Sequence, residues 1–280
     1  MDTSRGDKLL KRIVDALSPV PGLHAIVLGG SRARGLALDD SDFDVGLYYD
    51  SQHPFDQVAL QRAVTLLDGN SPEATKIGGW GPWIDGGAWL KLDGHRVDLL
   101  YRDLHRVRHV IDDCCMGRAT PHYQPGHPHA FISAIYLGEV AHGRALWDPN
   151  HAFATLKRLT LTYPEPLRDT LTRGYLWEAE FALENAEKSL SRGDVHYIAG
   201  CAFRSIACLC QVIFALNGEY LLNEKNAVAQ ADKLKLTPRR FADCVETTYR
   251  EIGSGRLQDG LERLRHAVQE TGTLMRDGNT

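Results

Sequence analysis

The chain has 280 residues, of which 43% are hydrophobic and 24% charged, and its formal net charge at pH 7 is −4. This composition is typical of a soluble globular protein with one large or two modest domains. The acidic balance argues against a general nucleic-acid-binding protein. A charged N-terminus and the absence of an apolar run of membrane-spanning length predict neither a signal peptide nor a membrane segment. The six cysteines include no C-x-x-C pair, which indicates free thiols in a reducing cytoplasm.

The first elements lead to a glycine turn. Apolar residues at helical spacing predict a helix over residues 5–18, and the apolar run His24–Leu28 predicts a strand. That strand ends at Gly29-Gly30-Ser31. Paired glycines allow positive φ and bring backbone N–H groups close to an anionic ligand. We expect Ser31 to cap a short helix whose N-terminus favours phosphate.

A pair of carboxylates opens the second predicted strand, in the sequence Ser41-Asp42-Phe43-Asp44. Because side chains alternate along a strand, Asp42 and Asp44 share one face, and Phe43 lies on the other. Two neighbouring carboxylates repel each other, and burying them without a partner costs several kcal/mol. A divalent cation resolves this repulsion, and hard oxygen ligands suit Mg²⁺.

A third acid follows on a later strand. Residues 54–68 predict a helix, and residues 69–87, which are rich in Gly and Pro, predict irregular structure. Asp93-Gly94 between two alternating runs predicts a tight hairpin over residues 88–103. Its second strand carries Asp98 among apolar residues, where a buried acid requires a metal, a hydrogen-bonded partner or a proton.

The remainder of the chain predicts helices. A helix over 104–116, capped by Asp103, precedes the proline-containing loop 117–129. Further helices are predicted at about 130–142, 151–162, 166–190, 194–217, 224–235, 238–252 and 256–276, with no further strand. The predicted fold class is therefore α+β, with an N-terminal mixed β-sheet and flanking helices followed by a C-terminal α-helical bundle. The proline-containing loop predicts a domain boundary, with one domain over residues 1–120 and another over residues 121–280.

Two clusters carry weaker signals. His122, His127 and His129 lie in the proline-containing loop, but no Cys or fourth His stands at metal-ligand spacing, so packing within the loop is favoured over zinc. Trp80, Trp83 and Trp89 could stack a base or a sugar, although such groups more often belong to the core.

The turn Gly29-Gly30-Ser31, followed by Asp42-x-Asp44 and by Asp98, resembles the nucleotidyltransferase superfamily, the DNA polymerase β-like group. Within it, the arrangement is most similar to the bacterial antibiotic (aminoglycoside) nucleotidyltransferases. The resemblance covers about residues 20–105. It implies that a C-terminal helical bundle closes over the nucleotide and carries the acceptor pocket.

The resemblance also implies roles for residues. Asp42 and Asp44 would hold two Mg²⁺ ions, and Asp98 the ion nearest the acceptor hydroxyl. The set implied to bind ATP consists of Gly29, Gly30, Ser31, Arg32 or Arg34, and Lys225. The proton of the acceptor hydroxyl would pass to Asp98 itself or to a glutamate of the helical region, Glu139 or Glu178, since apolar surroundings raise a carboxylate pKa.

These roles predict transfer of AMP from ATP to a hydroxyl of a small molecule such as an antibiotic, with release of pyrophosphate. One alternative keeps the chemistry but uses a protein or RNA acceptor, and the net charge argues against RNA. Another alternative is a binding partner in a toxin–antitoxin pair, although such proteins are usually shorter. The apolar C-terminal helices leave a homodimer open.

Overall fold

A computed structural model describes residues 3–70 and 72–277. The strands are β1 Leu23–Leu28, β2 Phe43–Tyr49, β3 Gly87–Leu92, β4 His95–Asp103, β5 Pro121–His122, β6 Phe131–Ile132 and β7 Arg144–Trp147. The helices are α1 Thr3–Leu17, α2 Gly30–Ala33, α3 Gln57–Leu67, α4 Leu104–Cys115, α5 Ile135–His142, α6 Ala152–Arg158, α7 Glu165–Lys188, α8 Val195–Leu216, α9 Ala227–Ala231, α10 Phe241–Gly253 and α11 Leu257–Asp277.

The described residues form two compact units that are not contiguous in sequence. The first contains the residues up to Asp112 together with Tyr136–Thr162, and the second contains Asp113–Ile135 together with the residues from Tyr163 onward. The division between residues 120 and 121 stays a prediction.

The first unit is built on a five-stranded mixed sheet in the order β3-β4-β2-β1-β7. Strands β2 and β4 are parallel, and the other neighbouring strands pair antiparallel. Helices flank this sheet and dominate the second unit, which confirms the predicted α+β class. The hairpin is also confirmed, because its turn residues Asp93 and Gly94 have φ of 52° and 84°, the left-handed region that such two-residue turns require.

The two faces of the sheet differ in burial, as the alternation of side chains predicts. On one face the side chains of β2, β3 and β4 are buried against residues of α1 and α3, for example Val45, Leu90 and Val97. On the other face Asp44 and Asp98 are half-buried and Trp89 is exposed. The strands therefore hold a hydrophobic core on one side and present polar chemistry on the other.

The prediction that no strand follows residue 130 is wrong. Arg144–Trp147 forms β7 at the edge of the main sheet, and Phe131–Ile132 pairs with Pro121–His122. The burial of β7 does not alternate, because it is a short edge strand that pairs with β1 alone. A four-residue edge strand carries no period-2 signal that a sequence reading can detect.

The second unit packs long helices around α8. This helix is long and apolar enough to cross a membrane, so the prediction that no run reaches that length is also wrong. However, 72% of its most apolar 18-residue window is buried within the structure. The apolar side chains of α8 are therefore explained by contacts with α7, α10 and α11.

Candidate active site

Two of the predicted acids lie side by side in the sheet. Asp44 on β2 pairs in register with Asp98 on β4. Neighbouring strands are about 4.8 Å apart and paired residues of adjacent strands project to the same face, so these two carboxylates share one surface. Asp44 and Asp98 are separated by 54 residues in sequence, and the parallel register brings them together.

The glycine turn is seated directly against Asp44. The N–H of Gly29 donates to the backbone oxygen of Asp44 at 2.8 Å. Gly30 has a φ of 60°, and a Cβ at this position would lie 1.8 Å from Asp44 Oδ2. Only glycine fits both the backbone conformation and the space beside the carboxylate.

The predicted role of Ser31 as a helix cap is wrong. Helix α2 is a single turn that begins at Gly30, with Gly29 in the N-cap position and no side-chain cap. Ser31 lies inside this turn, because the left-handed conformation of Gly30 already directs the backbone into the helix. Its hydroxyl therefore does not perform the capping that the sequence suggested.

Arg32 fixes the loop that carries Asp42. Its guanidinium donates to the backbone oxygens of Ser41, at 2.5 and 3.1 Å, and of Asp42, at 3.2 Å. It also lies 3.9 Å above the centre of the Phe43 ring. Arg34 is half-buried near His142, whose pKa is lowered by burial and then by the charge of Arg34.

Asp42 meets a cation that the sequence reading missed. The Arg96 Nε atom donates to Asp42 Oδ1 at 2.7 Å, and the Arg96 side chain is 72% exposed. The contact raises the pKa of Arg96 through the hydrogen bond and the charge of Asp42. The available signal was the spacing Arg96-x-Asp98, which places both side chains on one face of β4.

These contacts fit a divalent metal ion. Asp44 and Asp98 are paired in register on β2 and β4, and Asp42, two residues before Asp44, forms an ion pair with Arg96. Oxygen donors of this kind are the ligands that Mg²⁺ takes in proteins. Asp42, Asp44 and Asp98 are therefore the residues that would hold such an ion.

One of two stacked tryptophans lies next to the paired residues Asp44 and Asp98 on the sheet. Trp89 on β3 pairs in register with Asp98, so the sheet presents Asp44, Asp98 and Trp89 in that order on one face. Trp89 is 65% exposed, and its ring stacks on Trp80 with centroids 4.4 Å apart. Gly87 leaves room for Trp80, because a Cβ there would lie 2.8 Å from that ring. Trp89 is thus not a core residue, although the sequence reading favoured the core.

Glu139 forms an ion pair within the first unit. Its two carboxylate oxygens accept from Arg102 Nε and Nη2, each at 2.7 Å. Burial lowers the pKa of Arg102, but the charge of Glu139 and its hydrogen bonds outweigh this effect and raise it. Arg102 is only 3% exposed, so Glu139 is the counterion of a buried guanidinium.

Glu178 and Lys225 lie in the second unit. Glu178 on α7 has Arg204 Nη2 at 2.7 Å and is grouped with His129 and Cys208. Lys225 is exposed in the loop before α9, where its N–H donates to Asn223. The histidines of the proline-containing loop have separate partners: His122 contacts Thr120, and His127 lies beside Glu224.

Comparison with known proteins finds two segments of the chain that match family models. Residues 8–106 match the model of the nucleotidyltransferase domain, and residues 131–225 match a domain of unknown function (DUF4037). No curated protein matches the sequence. Among solved structures, the chain is similar to a nucleotidyltransferase-like protein from Exiguobacterium sibiricum 255-15, with 13% identity and a TM-score of 0.44, over 96% of this chain and 78% of that chain.

The nucleotidyltransferase match spans the glycine turn and all three aspartates. Proteins with this domain use a nucleoside triphosphate and a divalent metal ion. Residues 8–106 are therefore similar to the nucleotidyltransferase domain of transferase enzymes.

Proposed function

We propose that the protein transfers AMP from ATP to a hydroxyl group of a small molecule, such as an antibiotic, and releases pyrophosphate. The observation that carries the proposal is the pairing of Asp44 with Asp98 beside Gly30. The acceptor oxygen attacks the α-phosphorus as the bond to pyrophosphate breaks. Such transfers depend on positioning and on neutralising charge.

In this proposal the three aspartates hold two Mg²⁺ ions. When bound, the ions neutralise the charge that develops on the attacking and leaving oxygens. The phosphates lie at Gly29, Gly30 and Ser31, beside Asp44. Arg32 and Arg34 are the two candidate arginines, and the Arg32 guanidinium donates to the loop carbonyls. Lys225 lies in the second unit, and its role as a phosphate ligand stays a prediction from the sequence.

We place the two substrates on different sides of the site, and the order of residues across the sheet supports this. The glycine turn lies against Asp44, whereas Trp89 lies next to Asp98. The nucleotide is therefore proposed on the Asp44 side and the acceptor on the Asp98 side. A flat ring of the acceptor would stack on Trp89, since an exposed indole offers an apolar face for it.

Among the candidate bases, Asp98 is proposed to receive the acceptor proton. Glu139 is a weaker candidate, because both its oxygens accept from the buried Arg102. Glu178 lies in a cluster with its own partners in the second unit. No disulfide joins any of the six cysteines, which supports a cytoplasmic location in the same proposal.

The test is calorimetric titration of ATP, GTP, CTP and UTP, each with and without Mg²⁺. The proteins are the wild type, the Asp44→Asn/Asp98→Asn variant and an Asp15→Asn control, whose carboxylate is exposed on α1 and pairs with Lys11. We expect Mg²⁺-dependent ATP binding by the wild type and the control only. A folded wild type that binds no triphosphate would overturn the proposal.

The second step is a screen for pyrophosphate release with aminoglycosides and other hydroxylated small molecules, alongside RNA and protein acceptors. Release that depends on a small molecule and on Asp98 would support the proposed acceptor class. Release with RNA or protein alone would replace it.

A further inference from the structure

A second group of metal-ligating side chains lies in the second unit, away in sequence from the three aspartates. His129, Glu178 and Cys208 place one nitrogen, one oxygen and one sulfur donor within 4.8 Å of one another. They come from the loop before β6, from α7 and from α8. Cys208 is fully buried, and the other two side chains are half-buried. We propose that these three side chains form a binding site for Zn²⁺.

The spacing of the donors agrees with a tetrahedral site. Ligands at about 2.0–2.3 Å from a tetrahedral zinc ion lie roughly 3.3–3.8 Å from one another. The Cys208 Sγ and His129 Nε2 atoms are 3.8 Å apart. The remaining separations stay within 4.8 Å, so side-chain adjustments of about 1 Å are enough to close the site.

The chemistry of the donors selects the metal. Thiolate and imidazole favour zinc and similar borderline ions, whereas Mg²⁺ prefers oxygen ligands alone. This site is therefore distinct from the all-carboxylate site of the first unit. When the ion binds, the metal–sulfur bond replaces the S–H bond of Cys208, and the thiol proton is released to solvent.

Neighbouring groups hold the ligands in place. The Glu224 carboxylate accepts from the N–H of His129 at 2.9 Å and from the N–H of Ala130 at 3.3 Å, which fixes the loop that carries the imidazole. Arg204 lies 2.7 Å from one oxygen of Glu178. Outer partners of this kind orient metal ligands, and a carboxylate has a second oxygen for the ion.

Three protein ligands leave one coordination position for water or another ligand, the pattern of zinc sites that interact with small molecules. His129 also lines a cavity of about 180 Å³ that is mostly apolar, together with Phe203, Leu221 and Tyr249. The ion would therefore lie at the wall of a cavity that could admit a small ligand.

The experiment is a Co²⁺ titration of the metal-free full-length protein, followed by absorption. Cobalt replaces zinc in such sites, and a thiolate ligand adds a sulfur-to-cobalt charge-transfer band to the visible bands of tetrahedral Co²⁺. We expect this band at one equivalent of Co²⁺ in the wild type, and its loss when Zn²⁺ is added. We also expect it in the Asp44→Asn/Asp98→Asn variant, so failure of the proposed function and failure of this site are distinguishable.

The variants are Cys208→Ser, Glu178→Gln and a Cys210→Ser control, which removes another buried thiol of the same helix. We expect Cys208→Ser to abolish the charge-transfer band and Cys210→Ser to retain it. Glu178→Gln, at a half-buried position where folding is less at risk, should retain the band but weaken Co²⁺ affinity by about tenfold or more. A wild type without the band, a band that persists in Cys208→Ser, or unchanged affinity in Glu178→Gln would overturn the proposal.

Discussion

Two pairs of charged residues lie on or beside the ladder formed by β2 and β4. One pair consists of two negative charges, and the other of one positive and one negative charge. Near the start of β2, Asp44 lies next to Asp98, so the ladder brings two negative charges together. Four positions further on, Tyr48 pairs with Arg102, whose buried guanidinium meets the carboxylate of Glu139. Like charges in register work against folding, whereas opposite charges with good hydrogen bonds compensate each other.

We interpret the Asp44–Asp98 pair as groups that bind a ligand, and the Arg102–Glu139 pair as groups that support the fold. In the proposed function, a cation that comes with the substrate would compensate the carboxylate pair. The Arg102–Glu139 pair requires nothing from outside the protein. Substitutions in the two pairs should therefore have opposite effects on activity and on stability.

The largest effect is expected at the carboxylate pair. Asp44→Asn or Asp98→Asn should reduce nucleotidyl transfer by about 10³-fold or more, because a charge that positions the metal ion is removed. Thermal unfolding should occur at the same or a higher temperature, because repulsion between the two acids is relieved. The measurements are pyrophosphate release and circular dichroism melting. A variant that melts well below the wild type would show that these acids support the fold.

Glu139→Gln should show the reverse behaviour. The buried Arg102 would lose its counterion, and breaking such a pair costs roughly 3–5 kcal/mol. Because Glu139 is 28% exposed, we expect the lower end of that range. Denaturant unfolding measures this loss, with Glu73→Gln as an exposed control. An unchanged stability together with a lower kcat would show that Glu139 takes part in the reaction and that the contrast between the two pairs is wrong.

Gly30→Ala tests how closely the turn and Asp44 fit. The new Cβ would meet Asp44 Oδ2, so the carboxylate must move, and a displacement of about 1 Å can cost 10²-fold in rate. Gly35→Ala is the matched control, since Gly35 also has a positive φ, of 70°, but has open space around it. Both variants should lose about 1–2 kcal/mol of stability from backbone strain. Only Gly30→Ala should lose activity, and equal activity in the two variants would argue against a role for the contact.

The smallest effect is expected at Trp89. Trp89→Ala should raise the KM for the acceptor by about tenfold, because stacking on an aromatic ring is worth roughly 1–3 kcal/mol. The KM for ATP and kcat should change little, and Trp89→Phe should recover most of the acceptor affinity. An increase in the KM for ATP instead would place the nucleobase, rather than the acceptor, on this tryptophan.

The sequence by itself determined the parts of this protein that are encoded locally. The glycine turn, the Asp42-x-Asp44 strand and the Asp93-Gly94 hairpin are each specified within a few neighbouring residues. Their backbone preferences and side-chain alternation act over that same distance. For this reason the sheet and the hairpin could be predicted without coordinates, and the three aspartates could be named as candidates.

Only the tertiary structure decided which distant residues meet. The registers of β2 with β4 and of β3 with β4 align Asp44, Asp98 and Trp89 on one face. Trp89 is exposed on this face, although a tryptophan more often belongs to the core. Edge strand β7 is too short to carry a pattern of its own. Cys208 contacts His129 although 79 residues separate them in sequence, so no local spacing could indicate the proposed metal site. Packing and strand register bring together residues that are far apart in sequence, whereas a sequence pattern reflects only the requirements of residues that are neighbours along the chain.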